Sequence, residues 1–242
     1  MKNSSNNNQP RHGAPTVFQP APRPGWACSN RHQAALLVRD NSGSMSGGKA
    51  RDADAACRAL VGLLAAPQNK GAFEAAVLDF DSGAHMVHSM GAASELGEVL
   101  SPLAADGGST NLGSALQLAL DELKRSSVIP DADGAGGSQQ QDGISYLRPV
   151  VLVFTDGHSN TGPRPEPAAK RLKEHADLVT VAFGGDADEE LLRGLATTPA
   201  HFCRCRNGGE LRDFLAEVGK TMTRTLAAGQ NATQALGELH KN

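Results

Sequence analysis

A chain of 242 residues, 39% of them hydrophobic, is long enough to bury one α/β core and carry short appendages. Its formal charge of -3 offers no attraction for nucleic acid or an anionic bilayer, and an aromatic content of 4% leaves few rings for stacking on bases. No apolar run approaches the roughly 20 residues of a membrane span, the amino-terminal MKNSSNNNQP lacks a secretory apolar segment, and Cys28, Cys57, Cys203 and Cys205 follow no framework spacing, so reduced thiols in a cytoplasm are expected.

Residues 1–30, rich in Asn, Pro and Gln, read as a flexible tail in which Pro20, Pro22 and Pro24 favour extended backbone. Val17, Phe18 and Trp26 are its anchors for any partner. One domain is expected over 31–226, followed by a tail over 227–242. Ala34 to Val38 is a nearly continuous apolar run, as in a strand covered on both faces. It ends in Asp40, with Ser42 and Ser44 at alternate positions beyond. Alternate residues of an extended turn can aim their side chains at one point, and hard oxygen ligands suit Mg²⁺ or a similar divalent cation. Ala50, Ala53, Cys57, Leu60 and Leu64 then form a helical stripe that ends before Pro67, with Cys57 in a packing role. Ala75 to Phe80 and Ala84 to Val87 predict a hairpin turning at Asp81-Ser82-Gly83. Asp79 and Asp81 share one side of it and are expected on a solvated edge rather than as a metal pair.

A glycine-rich loop, Ala105 to Gly113, carries Thr110 into a second helix whose buried face is Leu112, Leu116, Ala119, Leu120 and Leu123. The polar stretch 127–147, with its Gln139-Gln140-Gln141 run, reads as a mobile insertion. Asp131, Asp133, Gly136 and Asp142 within it match part of a calcium loop, but Ala135 replaces a ligand and no convincing helix follows. Val150 to Phe154 is a second fully apolar strand, followed by Thr155 and Asp156. Then come a helix over Pro167 to Glu174, a strand over Leu178 to Phe183, a short helix over Glu189 to Leu195 and a strand over Phe202 to Arg204. Leu211, Phe214, Leu215, Val218 and Met222 line a closing helix, with a fraying end after about Ala227. This alternation predicts a doubly wound, mostly parallel sheet with helices on both faces and one antiparallel edge strand. Ligands of such sheets collect beyond the carboxyl ends of the strands, where strand order reverses.

The D-x-S-x-S turn at Asp40, Ser42 and Ser44, the G-G-S-T-N-L-G loop around Thr110 and the V-F-T-D-G strand ending at Asp156 together resemble the von Willebrand factor A family and its metal-ion-dependent adhesion site. The resemblance implies that the strands before Asp40 and Asp156 are central neighbours. It also implies that Asp40, Ser42, Ser44, Thr110 and Asp156 hold Mg²⁺ (or Mn²⁺ or Ca²⁺), directly or through water. Two carboxylates and three hydroxyls leave such an ion an open, electropositive position, which a Glu or Asp of a protein partner could fill. A non-enzymatic binding module is therefore expected. Within the family the chain is similar to the bacterial TerY-like group of the tellurium-resistance systems over about 31–225. The carriers are D-x-S-G-S-M-S-G, Arg148-Pro149, Asp186-Ala187-Asp188 with Leu191-Leu192, and the helix around Phe214. That likeness implies a cytoplasmic adaptor in stress or defence signalling, beside a Ser/Thr kinase and a metal-dependent protein phosphatase. Arg39, in place of an aliphatic residue, and Asn41, in place of Thr, depart from the usual pattern.

Rival chemistries meet specific obstacles. Gly43 to Lys49 has the G-x-x-x-x-G-K layout of a phosphate loop, but Ala50 stands where that motif needs Ser or Thr. An aspartyl-phosphate phosphatase would carry a second acid two residues after its nucleophile, where this chain has Ser42. A metal-assisted hydrolase and an adaptor of a MoxR-like ATPase remain as alternatives. Capping roles explain Ser42 or Ser44 singly but not all five positions. His158 lies near the expected metal rim, or is simply an exposed loop residue. A zinc site built from Cys203, Cys205, Cys28, Cys57 or His201 lacks any C-x-x-C pair, so buried free thiols are expected.

Overall fold

The computed structural model describes residues 30–129, 140–141 and 144–239. The tail over 1–29, with Cys28, and the calcium-loop positions Asp131, Asp133, Gly136 and Asp142 lie outside these residues. In chain order the elements are β1 (Arg31–Asp40), α1 (Gly48–Leu64), β2 (Phe73–Phe80), β3 (Ala84–Ala92), α2 (Ala93–Val99), α3 (Leu112–Arg125), β4 (Gln140–Gln141), β5 (Ile144–Tyr146) and β6 (Val150–Thr155). They continue with α4 (Pro165–His175), β7 (Asp177–Phe183), α5 (Glu189–Leu195), β8 (Phe202–Cys205), α6 (Gly208–Ala228) and α7 (Thr233–Leu236). The main sheet runs β3-β2-β1-β6-β7-β8. Among the described strands of that path β2 and β3 alone pair antiparallel; off it, β4 pairs antiparallel with β5, which joins β1 in parallel. The doubly wound sheet with one antiparallel edge strand is therefore the fold.

Side-chain alternation along β1 explains the two layers. Ala35 and Leu37 pack with α1, α2 and α6, whereas Ala34, Leu36 and Val38 pack with α3, α4 and α5. Strands buried on both faces need apolar residues at successive positions, which is why β1 and β6 read as continuous runs. The α1 stripe is buried throughout, and truncating one of its leucines, such as Leu60, removes about 2–5 kcal/mol. Strand order reverses between β1 and β6, so the ends of these neighbours open the crevice where ligands of such sheets bind.

Four features differ from the sequence expectations. Asp79 is not on a solvated edge: β2 lies between β1 and β3, and Asp79 sits beside Arg39 in register. Arg39 donates to both its carboxylate oxygens, at 2.6 and 2.9 Å. As far as residue 239, the segment after Ala227 is not a fraying end. Ala232 and Leu236 are buried, the Thr233 hydroxyl donates to the buried carboxylate of Asp177 at 2.7 Å, and His201 Nε2 lies 2.9 Å from the Thr233 carbonyl, which together dock α7. Both ends of the 127–147 stretch belong to the fold: Val128 and Ile129 are buried, and β5 pairs in parallel with Arg31 and His32. Finally, α2 is an unforeseen helix, short and interrupted by Gly97, with too few turns to show a period.

Candidate metal centre

The register between β1 and β6 brings the site together. Arg39 pairs with Phe154, so Asp40 and Thr155 emerge at one level and Asp156 one residue beyond. Asp40 Oδ1 accepts the Ser42 backbone N–H at 2.8 Å, which folds the turn back on its own aspartate. Its other oxygen accepts the Thr155 hydroxyl. A 3-10 turn over Gly43–Met45 follows, closed by the Met45 N–H on the Ser42 carbonyl at 3.0 Å and pinned by the buried Met45 side chain. This turn puts the Ser42 and Ser44 hydroxyls 2.9 Å apart, and Ser44 Oγ donates to Asp156 Oδ1 at 2.7 Å. Lys49, in the first turn of α1, donates to Asp156 Oδ2.

Thr110 arrives from the third segment. Its loop lies along the Asp40 turn: Gly107 N–H donates to the Asn41 carbonyl at 3.0 Å, and Gly43 N–H to the Gly107 carbonyl at 2.9 Å. The Asn41 side chain accepts from the Ala105 N–H at 2.7 Å. Glycine is required at 107, because a Cβ there would lie 2.3 Å from Asp81 Cβ. Asn160 clasps Thr110, accepting its N–H at 2.9 Å and donating its own N–H to its carbonyl at 3.0 Å. The point where a Cβ on Gly157 would sit is 3.5 Å from Thr110 Oγ1 and 4.0 Å from Ser44 Oγ. Glycine there leaves a small space bounded by hydroxyls.

All five expected residues thus gather at one end of β1 and β6. Asp40 and Asp156 are 0% and 1% exposed, so both carboxylates lie out of bulk water. Burial pushes the Asp40 carboxyl above its ordinary range; hydrogen bonds from Ser42 and Thr155 pull it back, and the neighbouring charge of Asp156 adds to the rise. Hydrogen bonds, and Lys49 on Asp156, only partly offset this crowding of acids, and a divalent cation would offset it further. The candidate ligand atoms are all oxygens, mixing carboxylates with hydroxyls, which fits a hard divalent ion.

Sequence reasoning missed Thr155, Lys49, Asn41 and Asn160 as parts of this site. Thr155 stands beside Asp40 only through the register of the β1–β6 pair. Lys49 completes the phosphate-loop pattern in the sequence, but in the fold its ammonium is committed to Asp156. His158 is two-thirds exposed and lies 3.4 Å from Asp188. Cys203 and Cys205 are buried with sulfurs 3.7 Å apart, and burial pushes the Cys57 thiol up to about 12. Among the described residues no group of three or more His, Cys, Asp or Glu side chains is arranged to hold a metal, and none of their helices is long and apolar enough to cross a membrane.

Residues 36–217 match the family model of the von Willebrand factor type A domain. The chain belongs to this family. Solved structures with the VWA fold include proximal thread matrix protein 1 of the mussel byssus, with a TM-score of 0.60 at 19% identity over 78% of this chain and 47% of that one. The von Willebrand factor type A protein of Catenulispora acidiphila superposes with a TM-score of 0.62 at 18% identity, over 80% of this chain and 43% of that one. BatB of Bacteroides thetaiotaomicron gives 0.57 at 14% identity, over 82% of this chain and 100% of that one. At such identities the likeness is one of fold, and the chain spans less than half the length of the first two. The byssus protein is also known with zinc occupying its metal-ion-dependent adhesion site. No curated protein sequence matches the chain.

Proposed function

We propose that this VWA domain is a non-enzymatic, divalent-metal-dependent protein-binding module. Asp40, Ser42, Ser44, Thr110 and Asp156 hold the ion, directly or through water, with Mg²⁺ favoured and Mn²⁺ or Ca²⁺ as substitutes. The bound ion supplies an electropositive position that a partner's Asp or Glu can occupy. The residues around it do the rest. Thr155 and the Ser42 N–H orient the Asp40 carboxylate, Asn160 steadies Thr110, and Gly157 keeps the space clear. The observation that carries this reading is the meeting of three distant segments, through their oxygens, at the β1–β6 switch point. The zinc-occupied site of the byssus protein supports it by analogy.

The narrower reading rests on the TerY-like motifs: a cytoplasmic adaptor or scaffold in stress or defence signalling, with a Ser/Thr kinase and a metal-dependent protein phosphatase as partners. Affinity capture on the purified chain tests the module. Partner recovery is expected with Mg²⁺ and lost with chelator or in Asp40→Ala and Thr110→Ala. Equal recovery with and without chelator would overturn the reading. Phosphoester turnover with Mg²⁺ that disappears in Asp40→Asn would instead establish a hydrolase.

A further inference from the structure

We propose that Lys49 is a built-in countercharge that sets what the centre accepts: it loosens the hold on the cation and leaves the loaded centre positive, so that an anionic guest is preferred over water or a neutral group. The inference rests on the metal-binding reading above and deepens it. Its basis is the division of labour on Asp156. Oδ1 faces the hydroxyl cluster through Ser44, whereas Oδ2 is taken by the Lys49 ammonium. The two oxygens serve different partners, so the lysine need not leave when a cation binds.

The charges then decide the outcome. Asp40 and Asp156 together carry two negative charges, and the three hydroxyls carry none. A divalent cation on those five residues alone would make a neutral centre. With Lys49 the sum is one positive charge, and a single carboxylate from a guest brings it to zero. Coulomb repulsion between Lys49 and the cation lowers metal affinity, while the same residual charge attracts the guest.

Two further observations favour a role at the site over one in helix formation. A cation in the first turn of α1 works against the helix dipole, which favours acids there. The Lys49 side chain is 35% exposed against 0% for that of Asp156, so it covers the buried acid from the solvent side.

The test uses the full chain with Mn²⁺ as probe, free ion being read by electron paramagnetic resonance and guest binding by relaxation of acetate methyl protons. Lys49→Met is expected to bind Mn²⁺ about tenfold more tightly and, once loaded, to hold acetate several-fold more weakly. Lys49→Gln should behave likewise and serves if the methionine variant folds poorly. Lys49→Arg restores the charge and should return both readouts toward wild type. Unchanged or weaker Mn²⁺ binding in both neutral variants, or unchanged acetate binding, would overturn the inference. Asp40→Asn separates the two levels. If Mn²⁺ binding survives that change, the metal reading falls and the inference with it; if binding needs Asp40 yet ignores Lys49, only the inference falls.

Discussion

Arg39 and Asp40 are adjacent on β1, both are buried, and each is the centre of a charged cluster, yet the clusters are built on opposite principles. Arg39 is closed. Its guanidinium grips both oxygens of Asp79 and also donates to Asp54 Oδ1 at 3.1 Å and the Ser101 carbonyl at 3.0 Å. Burial pulls that guanidinium down, and the hydrogen bond and charge of Asp79, joined by further neighbours including Asp54, more than reverse it. Asp40 is open. It faces another carboxylate across hydroxyls, and burial pushes its own carboxyl up. In the first cluster the cation touches both acids, whereas in the second the Lys49 ammonium touches only Asp156 and Asp40 is left with neutral donors, the Ser42 N–H and the Thr155 hydroxyl. Arg39, a departure from the family's aliphatic pattern, thus ties β1 to β2, α1 and the segment after α2 without entering the site.

Substitutions can break this contrast in order of size. Arg39→Met should cost about 3–5 kcal/mol in urea unfolding, because Asp79 is left buried without its partner. Adding Asp79→Leu should recover much of the loss; no recovery would mean that packing, not charge, is what Arg39 contributes. Gly113→Ala comes next, at about 3 kcal/mol, the top of the usual overpacking range, since the new Cβ would lie 2.0 Å from the Pro163 carbonyl oxygen and must push the Thr110 loop from its neighbour. Its Mg²⁺ response in thermal melts should weaken as well. Thr233→Ala should cost about 1.5–3 kcal/mol by removing a hydrogen bond to the charged Asp177, and should expose the C-terminal helix to proteolysis. Thiol labelling gives the smallest effect. At pH 8 Cys57 lies far below its titration at about 12 and stays protonated, so alkylation of buried Cys57, Cys203 and Cys205 should await unfolding.

The same contrast explains what the sequence could and could not reveal. Asp40, Ser42 and Ser44, and Asp156, lie in short patterns at the ends of apolar runs and are legible from spacing and strand context, whereas Thr110 and the grouping of all five follow from the family resemblance. Residues that hold those ligands are long-range: Thr155 meets Asp40, and Lys49 meets Asp156, only after β1 and β6 pair. Asp79 was misjudged for the same reason, since its partner stands forty positions away on the neighbouring strand. The docking of α7 was hidden because one hydroxyl on Asp177 outweighs the weak periodicity of its four residues.

Calorimetric titration of Mg²⁺ into the purified chain and into Asp40→Asn, paired with thermal melts in chelator, tests the central claim most directly. One saturable site in the wild type, none in the variant, and a cooperative melt for both is the predicted result. At a concentration 100 times the dissociation constant, Mg²⁺ should stabilise the wild type by about 2.7 kcal/mol. Equal binding by the two proteins, or no Mg²⁺ binding by a folded wild type, would contradict the account.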